Sequence, residues 1–383
     1  MSESNKRNFI VHGSILAIAG ILVRIIGMLY RIPVVNIIGS EGNGIYGAAF
    51  NIYNIMLVLS SYGLPMAVSK LVSARFTKRR YKSAAKVLRC SLMVAVCTGG
   101  IAALLVFSGA SFIENVIYGG GLPGLAIPLR ILAPTIFLVA ILGVIRGFFQ
   151  GQSTMIPTAV SQILEQIINA IVSIAAGYGM MKAFASSPDV AAYGAAGSTL
   201  GTAMGALTAV LFMGFLYAIY TPTFNRLKRK DRHTENQSTG QICKIIIYTM
   251  IPIILGQTFY QISALIDDVM FSNIMVGRDI TKSISMDLGN FSSSYSLLIG
   301  IPQGVASAMS ASMLPSVVAS FTDRDYDSIY DKITKTLKTN MFIAVPSFVG
   351  LFIIGQPIIK LLFSRYNLSL IHISEPTRRR GIS

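Results

Sequence analysis

The chain has 383 residues, of which 53% are hydrophobic and only 13% are charged, and its formal net charge is +16. This balance excludes an ordinary soluble globular protein, so most of the chain is predicted to lie in lipid. The apolar runs are long and continuous, which excludes a transmembrane barrel, whose strands alternate over about ten residues. We therefore predict an all-α integral membrane protein, because helices satisfy their own backbone hydrogen bonds in hydrocarbon.

Nine apolar runs are long enough to cross a bilayer, because a spanning helix needs about 20 residues. The first run is longer than the apolar core of a signal peptide, and no small-residue cleavage pattern ends it, so we expect it to remain as a helix. Charged residues interrupt the first, fourth and fifth runs. In chain order the runs cover residues 9–35, 42–69, 90–113, 124–149, 156–181, 190–225, 245–266, 288–322 and 339–359.

The distribution of Lys and Arg between the connecting segments predicts the orientation. One set of alternate segments is strongly basic, whereas the other set holds only Lys182, Arg278 and Lys282. Because basic loops stay in the cytoplasm, the N-terminus is predicted to be cytoplasmic. The positive charge is explained by this topology and by attraction to anionic membrane lipids, so nucleic-acid binding is not needed. The basic segments are 6–7, 75–89, 226–244 and 324–338.

A short phrase occurs twice in the chain. Phe76–Ser83 returns as Phe321–Ser328 with five of eight residues identical, and each copy follows an apolar run that carries a Gly-x-Pro sequence. Duplication of a membrane unit is the simplest cause. We therefore predict a two-bundle transporter in which the first six-helix bundle is complete and the second is truncated.

Four segments follow from this duplication. The last of them resembles a translated sequencing adapter, which predicts C-terminal truncation with three helices missing; a genuine short basic tail is the alternative. The segments are an N-terminal six-helix bundle at 1–220, a cytoplasmic basic linker at 221–241, three helices of a second bundle at 242–365 and a non-native tail at 366–383.

Two arginines in the first predicted helix are the most unusual residues of the chain. At about 1.5 Å per residue from Gly13, Arg24 lies near the bilayer midplane, where an arginine needs water, an anion or another partner. Arg31 follows on the same face, with Gly27 between them. A guanidinium group can donate two parallel hydrogen bonds to phosphate oxygens, which predicts a phosphorylated, anionic substrate. The alternatives are pairing of Arg24 with a buried acid or carbonyl and snorkelling of Arg31 to the outer interface.

Further polar residues are predicted to line the same cavity. Arg146 lies at the cytoplasmic end of the fourth run with Gln150 beside it, where the pair would receive a head group, although an interface anchor is the stronger reading of Arg146. Gln257 and Gln261 share a face in the middle of the seventh run. An amide facing lipid is costly, so these glutamines predict a cavity wall.

Two acids within the apolar runs are candidates for coupling to Na⁺ or H⁺. Glu165 is expected to pair with Arg146 or Arg24, to relay a cation or, by default, to hold helices together. Asp268 lies near the outer end of the seventh run, where a solvated position is favoured over a cation site. The Cys and His residues are scattered, so we expect no metal site, no cofactor and no catalytic site, and the protein is not expected to be an enzyme.

Several blocks of the sequence resemble one family of transporters. They are Arg24–Pro33, Gly44–Gly47, Tyr62–Lys70, Arg146–Gly151 and Met155–Gln166. These blocks are similar to polysaccharide-biosynthesis and stage V sporulation protein B-like transporters, which belong to the multidrug/oligosaccharidyl-lipid/polysaccharide (MOP) exporter superfamily. The resemblance covers nearly everything before about residue 365.

The resemblance implies two bundles that flip undecaprenyl-diphosphate-linked sugars, including peptidoglycan precursors, across a bacterial plasma membrane by alternating access. A Gram-positive source and no obligate protein partner are expected. In that family the arginines of the first helix meet the diphosphate, which implies this role for Arg24 and Arg31. Asn169 departs from the pattern, because an arginine is common there.

Two other functions compete with this interpretation. A cation-coupled multidrug antiporter of the same superfamily would favour an acidic cavity, whereas the first helix offers arginines and no acid. A membrane glycosyltransferase or polymerase would need catalytic acids on loops, and the outer acids Glu41, Glu114 and Asp189 are unpaired in the sequence.

Overall fold

A computed structural model describes residues 3–231, 238–278, 284–292 and 298–362, the last range with gaps at 301, 305, 307–312, 314–316, 318–319 and 321–324. Every long regular element within these ranges is a helix. In chain order they are α1 (Glu3–Leu57), α2 (Leu64–Thr77), α3 (Tyr81–Phe112), α4 (Ala126–Gly151), α5 (Ile156–Ala183), α6 (Val190–Lys230), α7 (Thr239–Val276), α8 (Ile284–Phe291) and α9 (Tyr326–Leu362).

Seven helical stretches among the described residues are long and apolar enough to cross a membrane. The first, Ile18–Thr77, has 60 residues and contains most of the first predicted run and all of the second. Its length, about 90 Å at 1.5 Å per residue, is about twice the thickness of a bilayer with its head groups, which is enough for two passes. Most of the predicted eighth run lies outside the described residues, as does the tail 366–383, so the total of nine stays a prediction.

A bend at Gly39 separates these two passes. Its backbone has φ 71° and ψ −179°, a conformation that is essentially restricted to glycine. The second pass then continues through a π-helical turn at Val58–Tyr62 into α2, where Pro65 occupies the first turn. The sequence predicted two helices here, and the glycine is the residue that divides them.

We predict that Gly39→Ala destabilises the protein by about 1–3 kcal/mol, because alanine strains this backbone conformation. A Cβ at Gly39 would meet no atom within 4 Å, so the cost comes from the backbone alone. Gly20→Ala is the matched control, since Gly20 lies in α1 with equally open surroundings. Thermal unfolding in detergent measures both variants, and equal melting temperatures would contradict the assignment.

The predicted linker is partly helical. α6 continues to Lys230, so the first half of the 221–241 segment forms its last turns, and α7 begins at Thr239. Basic side chains in the last turn, including Lys228 and Arg229, are favoured by the helix dipole. Residues 221–230 of the predicted basic linker are therefore helical, and the division of the chain into two bundles at 221–241 stays a prediction.

An aromatic cluster explains the first copy of the repeated phrase. The ring of Phe76 lies 5.3 Å from that of Tyr81 and 6.1 Å from that of Phe224 on α6, and Phe148 of α4 joins them. The Phe and Tyr that this copy shares with the second copy therefore pack α2, α3, α4 and α6 together at one end. Residues 321–324 of the second copy lie outside the described residues.

Candidate functional site

Arg24 joins the two halves of the chain. Its Nη1 donates a hydrogen bond of 2.7 Å to the carbonyl oxygen of Gly304, which lies 280 positions further along. The side chain is otherwise exposed. A guanidinium has five N–H donors, so a single carbonyl leaves most of its donor capacity open to an anion. The alternative in which Arg24 pairs with a carbonyl thus holds for its Nη1.

Arg31 is half-buried and lies two helical turns after Arg24 on the same face of α1. Its Nη2 lies 3.4 Å from the hydroxyl of Ser292, and its Cζ lies 5.7 Å from the centre of the Tyr46 ring. Its Nε is buried and has no hydrogen-bond partner among the described residues. Leaving a buried donor unpaired costs about 1–3 kcal/mol. This position is unlike that of a side chain snorkelling to the interface.

The space between the two arginines is lined by amides of α5. A Cβ on Gly27 would lie 3.1 Å from Nε2 of Gln166, a tight contact, so glycine at this position leaves room for that amide without displacing it. Asn169, one turn further along α5, donates to the hydroxyl of Tyr30 at 3.3 Å. The sequence interpretation missed Gln166 as a site residue, although its spacing of three from Asn169 in an apolar helix is a signal.

The positive charge of this site is not neutralised within the part of the chain that the structure describes. The ion pairs found there join Arg146 to Glu165 and Lys335 to Asp331, and neither includes Arg24 or Arg31. We call Arg24, Gly27, Arg31 and Gln166 the α1 cationic site. An unneutralised guanidinium pair within the membrane is costly unless water or an anion approaches it.

Arg146 has its own partners on α5. Its Nη2 lies 2.7 Å from Oε2 of Glu165, and its Nε donates to the hydroxyl of Ser161 at 2.9 Å. The side chain of Arg146 is 14% exposed and that of Glu165 is 27% exposed. Of the alternatives for Glu165, the structure shows pairing with Arg146, which links α4 to α5. A role of Arg146 or Glu165 in transport stays a prediction.

We predict that Glu165→Ala lowers the free energy of unfolding by about 3 kcal/mol, because it leaves the Arg146 guanidinium buried without its acid. The double variant R146M/E165M is expected to recover most of this loss, since it removes both charges. Asp331→Ala is the control, because the Lys335–Asp331 pair is exposed and such pairs contribute less than about 1 kcal/mol. Equal effects of Glu165→Ala and Asp331→Ala on thermal unfolding would contradict the structural role.

The predicted glutamines are half-buried: Gln150 lies in the last turn of α4, and Gln257 and Gln261 lie on α7. No contact described in the structure joins them to the α1 cationic site. Their role as part of the cavity wall therefore stays a prediction.

Asp268 is more enclosed than the sequence indicated. It is half-buried, and its Oδ2 accepts a hydrogen bond of 2.6 Å from Nδ2 of Asn51 on α1. The expectation of a solvated boundary position was wrong. The sequence could not show this contact, because Asn51 is 217 residues away in the chain. Asp267 beside it is exposed.

Close backbone contacts join the two halves beyond Arg31. A Cβ on Gly44 would collide with the carbonyl of Ser285 on α8, and buried Asn43 donates to the carbonyl of Gly289 at 2.9 Å. At the predicted outer end, Ser272 of α7 donates to the carbonyl of Tyr118 at 2.8 Å. Gly44 thus allows α1 to pack closely against α8. Among the described residues no group of three His, Cys, Asp or Glu could hold a metal ion.

Residues 10–321 match the family described as "Polysaccharide biosynthesis protein". The chain belongs to this family. Its relatives include the lipid II flippase MurJ of Bacillus subtilis, which is 27% identical over 350 residues covering 90% of this chain and 64% of MurJ. Stage V sporulation protein B of the same organism is 23% identical over 362 residues, covering 94% of this chain and 67% of that protein. This chain thus spans about two thirds of the length of these relatives.

The fold is also known from solved structures. A multidrug resistance MATE family transporter of the MOP superfamily, solved in an inward-facing conformation, matches with a TM-score of 0.69 at 15% identity. The match covers 94% of this chain and 78% of that transporter. Together with the apolar helices, these comparisons confirm the predicted all-α, MATE-like fold of a multi-pass membrane protein.

Proposed function

We propose that this protein is a flippase that moves an undecaprenyl-diphosphate-linked oligosaccharide or a lipid II-like peptidoglycan precursor across the plasma membrane. The observation that carries the proposal is the α1 cationic site, in which two guanidinium groups lie near the junction of the two halves without a described carboxylate partner. A diphosphate supplies the missing negative charge and the acceptors that guanidinium groups bind best. The name of the MurJ relative supports the same substrate class.

The arrangement suits a lipid-linked anion in two ways. Arg24 is exposed and its single described partner is a backbone carbonyl, so binding a diphosphate would not require breaking an ion pair. Arg31 offers a buried Nε with no described partner, and an anion would satisfy this donor. The saccharide would follow the diphosphate through a hydrated path between the halves while the prenyl chain stays in lipid. Alternating access of the two halves then moves the head group.

Orientation and energy coupling are part of the proposal. The proposed orientation has a cytoplasmic N-terminus, which the basic segments support. The proposed source is a Gram-positive bacterium, which the Bacillus subtilis relatives support. Asp268, held by Asn51 between α1 and α7, is the acid through which Na⁺ or H⁺ would act, because its contact joins the two halves. Glu165 is already paired with Arg146 and is the weaker candidate.

The proposal is tested in liposomes that contain a fluorescent undecaprenyl-diphosphate disaccharide. Reduction of the dye from outside reports the fraction of lipid that crosses the bilayer. The protein is expected to accelerate crossing over protein-free vesicles, and a neutral lipid-linked disaccharide without the diphosphate serves as the control. Equal crossing rates for the diphosphate and neutral lipids would contradict a mechanism based on a phosphate grip.

A further inference from the structure

A second cationic feature lies away from the α1 cationic site, in a cavity of about 730 Å³ between α2 and α7. Its wall carries two lysines, Lys70 on α2 and Lys244 on α7, and none of its lining residues is acidic. The remaining wall includes Met66, Pro252 and Ile253. A cavity of this size is large enough for part of a lipid molecule.

Both lysines lie at the depth of lipid head groups. Lys70 is seven residues before the end of α2, and Lys244 is five residues after the start of α7. At 1.5 Å per residue these distances are about 10 Å and 8 Å from the two cytoplasmic helix ends. Tyr248 lies one turn deeper, with Nζ of Lys244 at 5.6 Å from the centre of its ring. Lysine and tyrosine at this level are typical of the membrane interface.

The deeper part of the cavity is apolar and faces outward. Met66 is 59% exposed and Tyr248 is 62% exposed, as expected for side chains that contact hydrocarbon. The hydroxyl of Thr249 is already donated to the carbonyl of Ile245 at 2.7 Å, so it offers little to a polar ligand. Charge at the cytoplasmic end and carbon below it match a molecule with an anionic head and an acyl chain.

We propose that this cavity binds an anionic phospholipid of the cytoplasmic leaflet, with its phosphate between Lys70 and Lys244 and an acyl chain along Met66 and Pro252. Lysine ammonium groups attract a phosphate as point charges, without the paired geometry that arginine gives the α1 cationic site. The apolar, exposed wall suits a lipid rather than a hydrated passage for sugars. The lipid would bridge α2 of the first bundle to α7 of the second. This inference does not depend on the proposed flippase activity.

The absence of tryptophan from the sequence allows a direct test. The variant Tyr248→Trp places a single indole in the cavity wall, and lipids brominated on the acyl chains quench its fluorescence on contact. We expect phosphatidylglycerol to be preferred over phosphatidylcholine about tenfold at this position, because each lysine near the interface favours an anionic lipid. In the K70Q/K244Q background the preference is expected to fall to about one.

Two further variants keep the experiment decisive. K78Q/K82Q removes the same charge from exposed positions outside the cavity and should leave the preference unchanged. K70R/K244R retains the charge and should retain the preference, which answers the objection that the glutamine variant is misfolded. Equal quenching by both lipids, or a preference that persists in K70Q/K244Q, would overturn the proposal. So would displacement of the brominated lipid by undecaprenyl diphosphate but not by unlabelled phosphatidylglycerol, since the cavity would then belong to the substrate.

Discussion

Arg24→Ala is expected to slow translocation of the undecaprenyl-diphosphate disaccharide by roughly 10- to 100-fold, the range that corresponds to losing charge-assisted hydrogen bonds to an anion. The variant also loses the hydrogen bond to the carbonyl of Gly304, which contributes less. Arg24→Lys keeps the charge without the paired donors, so it should recover activity only in part. The dye-reduction assay measures all three proteins.

The control for this prediction is Arg130→Ala. Arg130 lies in α4, where its Nη2 donates to the hydroxyl of Ser111 at 2.8 Å, and its side chain is exposed. It carries the same charge outside the α1 cationic site and should translocate as the unmodified protein does. If Arg24→Ala and Arg130→Ala behave alike, the phosphate grip assigned to α1 is wrong.

Gly201→Leu is expected to prevent the first bundle from folding. A Cβ on Gly201 would lie 2.6 Å from the carbonyl oxygen of Asn169 and would also collide with the hydroxyl of Ser173, both on α5. Small residues spaced four apart let membrane helices approach this closely, and a leucine would force the helices apart. Overpacking of a tight core costs about 1–3 kcal/mol even for smaller changes. Yield of monodisperse protein and its melting temperature are the measurements.

The matched control lies on the same helix. A Cβ on Gly214 would meet no atom within 4 Å, so Gly214→Leu adds the same side chain without a collision. Gly205→Leu should resemble Gly201→Leu, because a Cβ there would lie 2.6 Å from the carbonyl oxygen of Glu165. Similar yields for the variants at Gly201 and Gly214 would show that the α5–α6 contact tolerates a large side chain.

Hydropathy and small-residue spacing predicted the parts of this fold that depend on local sequence. Continuous apolar runs identified the helices, since lipid requires each segment to satisfy its own backbone. Gly197, Gly201 and Gly205 have the four-residue spacing of small residues that favours close helix packing, and a Cβ on each would collide with atoms of α5. The end of α6 was misplaced because a basic, polar helix terminus has the composition of a loop.

The partners of the site residues were beyond the reach of the sequence. Arg24 contacts a residue 280 positions away, and Asp268 contacts one 217 positions away, and no periodicity encodes such pairs. The arginines themselves were found because a charge inside an apolar run is unusual and costly. Gln166 was overlooked although its amide in an apolar helix is the same kind of signal as that of Gln257 and Gln261.

The central claim is that the α1 cationic site accepts an anion, whereas a multidrug antiporter of the same fold would accept a cation. Equilibrium binding to the purified protein of undecaprenyl diphosphate, compared with a lipophilic drug cation, tests this claim most directly. We expect the diphosphate to bind and its dissociation constant to rise at least about tenfold in Arg24→Ala/Arg31→Ala. Drug-cation binding that depends on Asp268, with diphosphate binding unaffected by loss of both arginines, would contradict it.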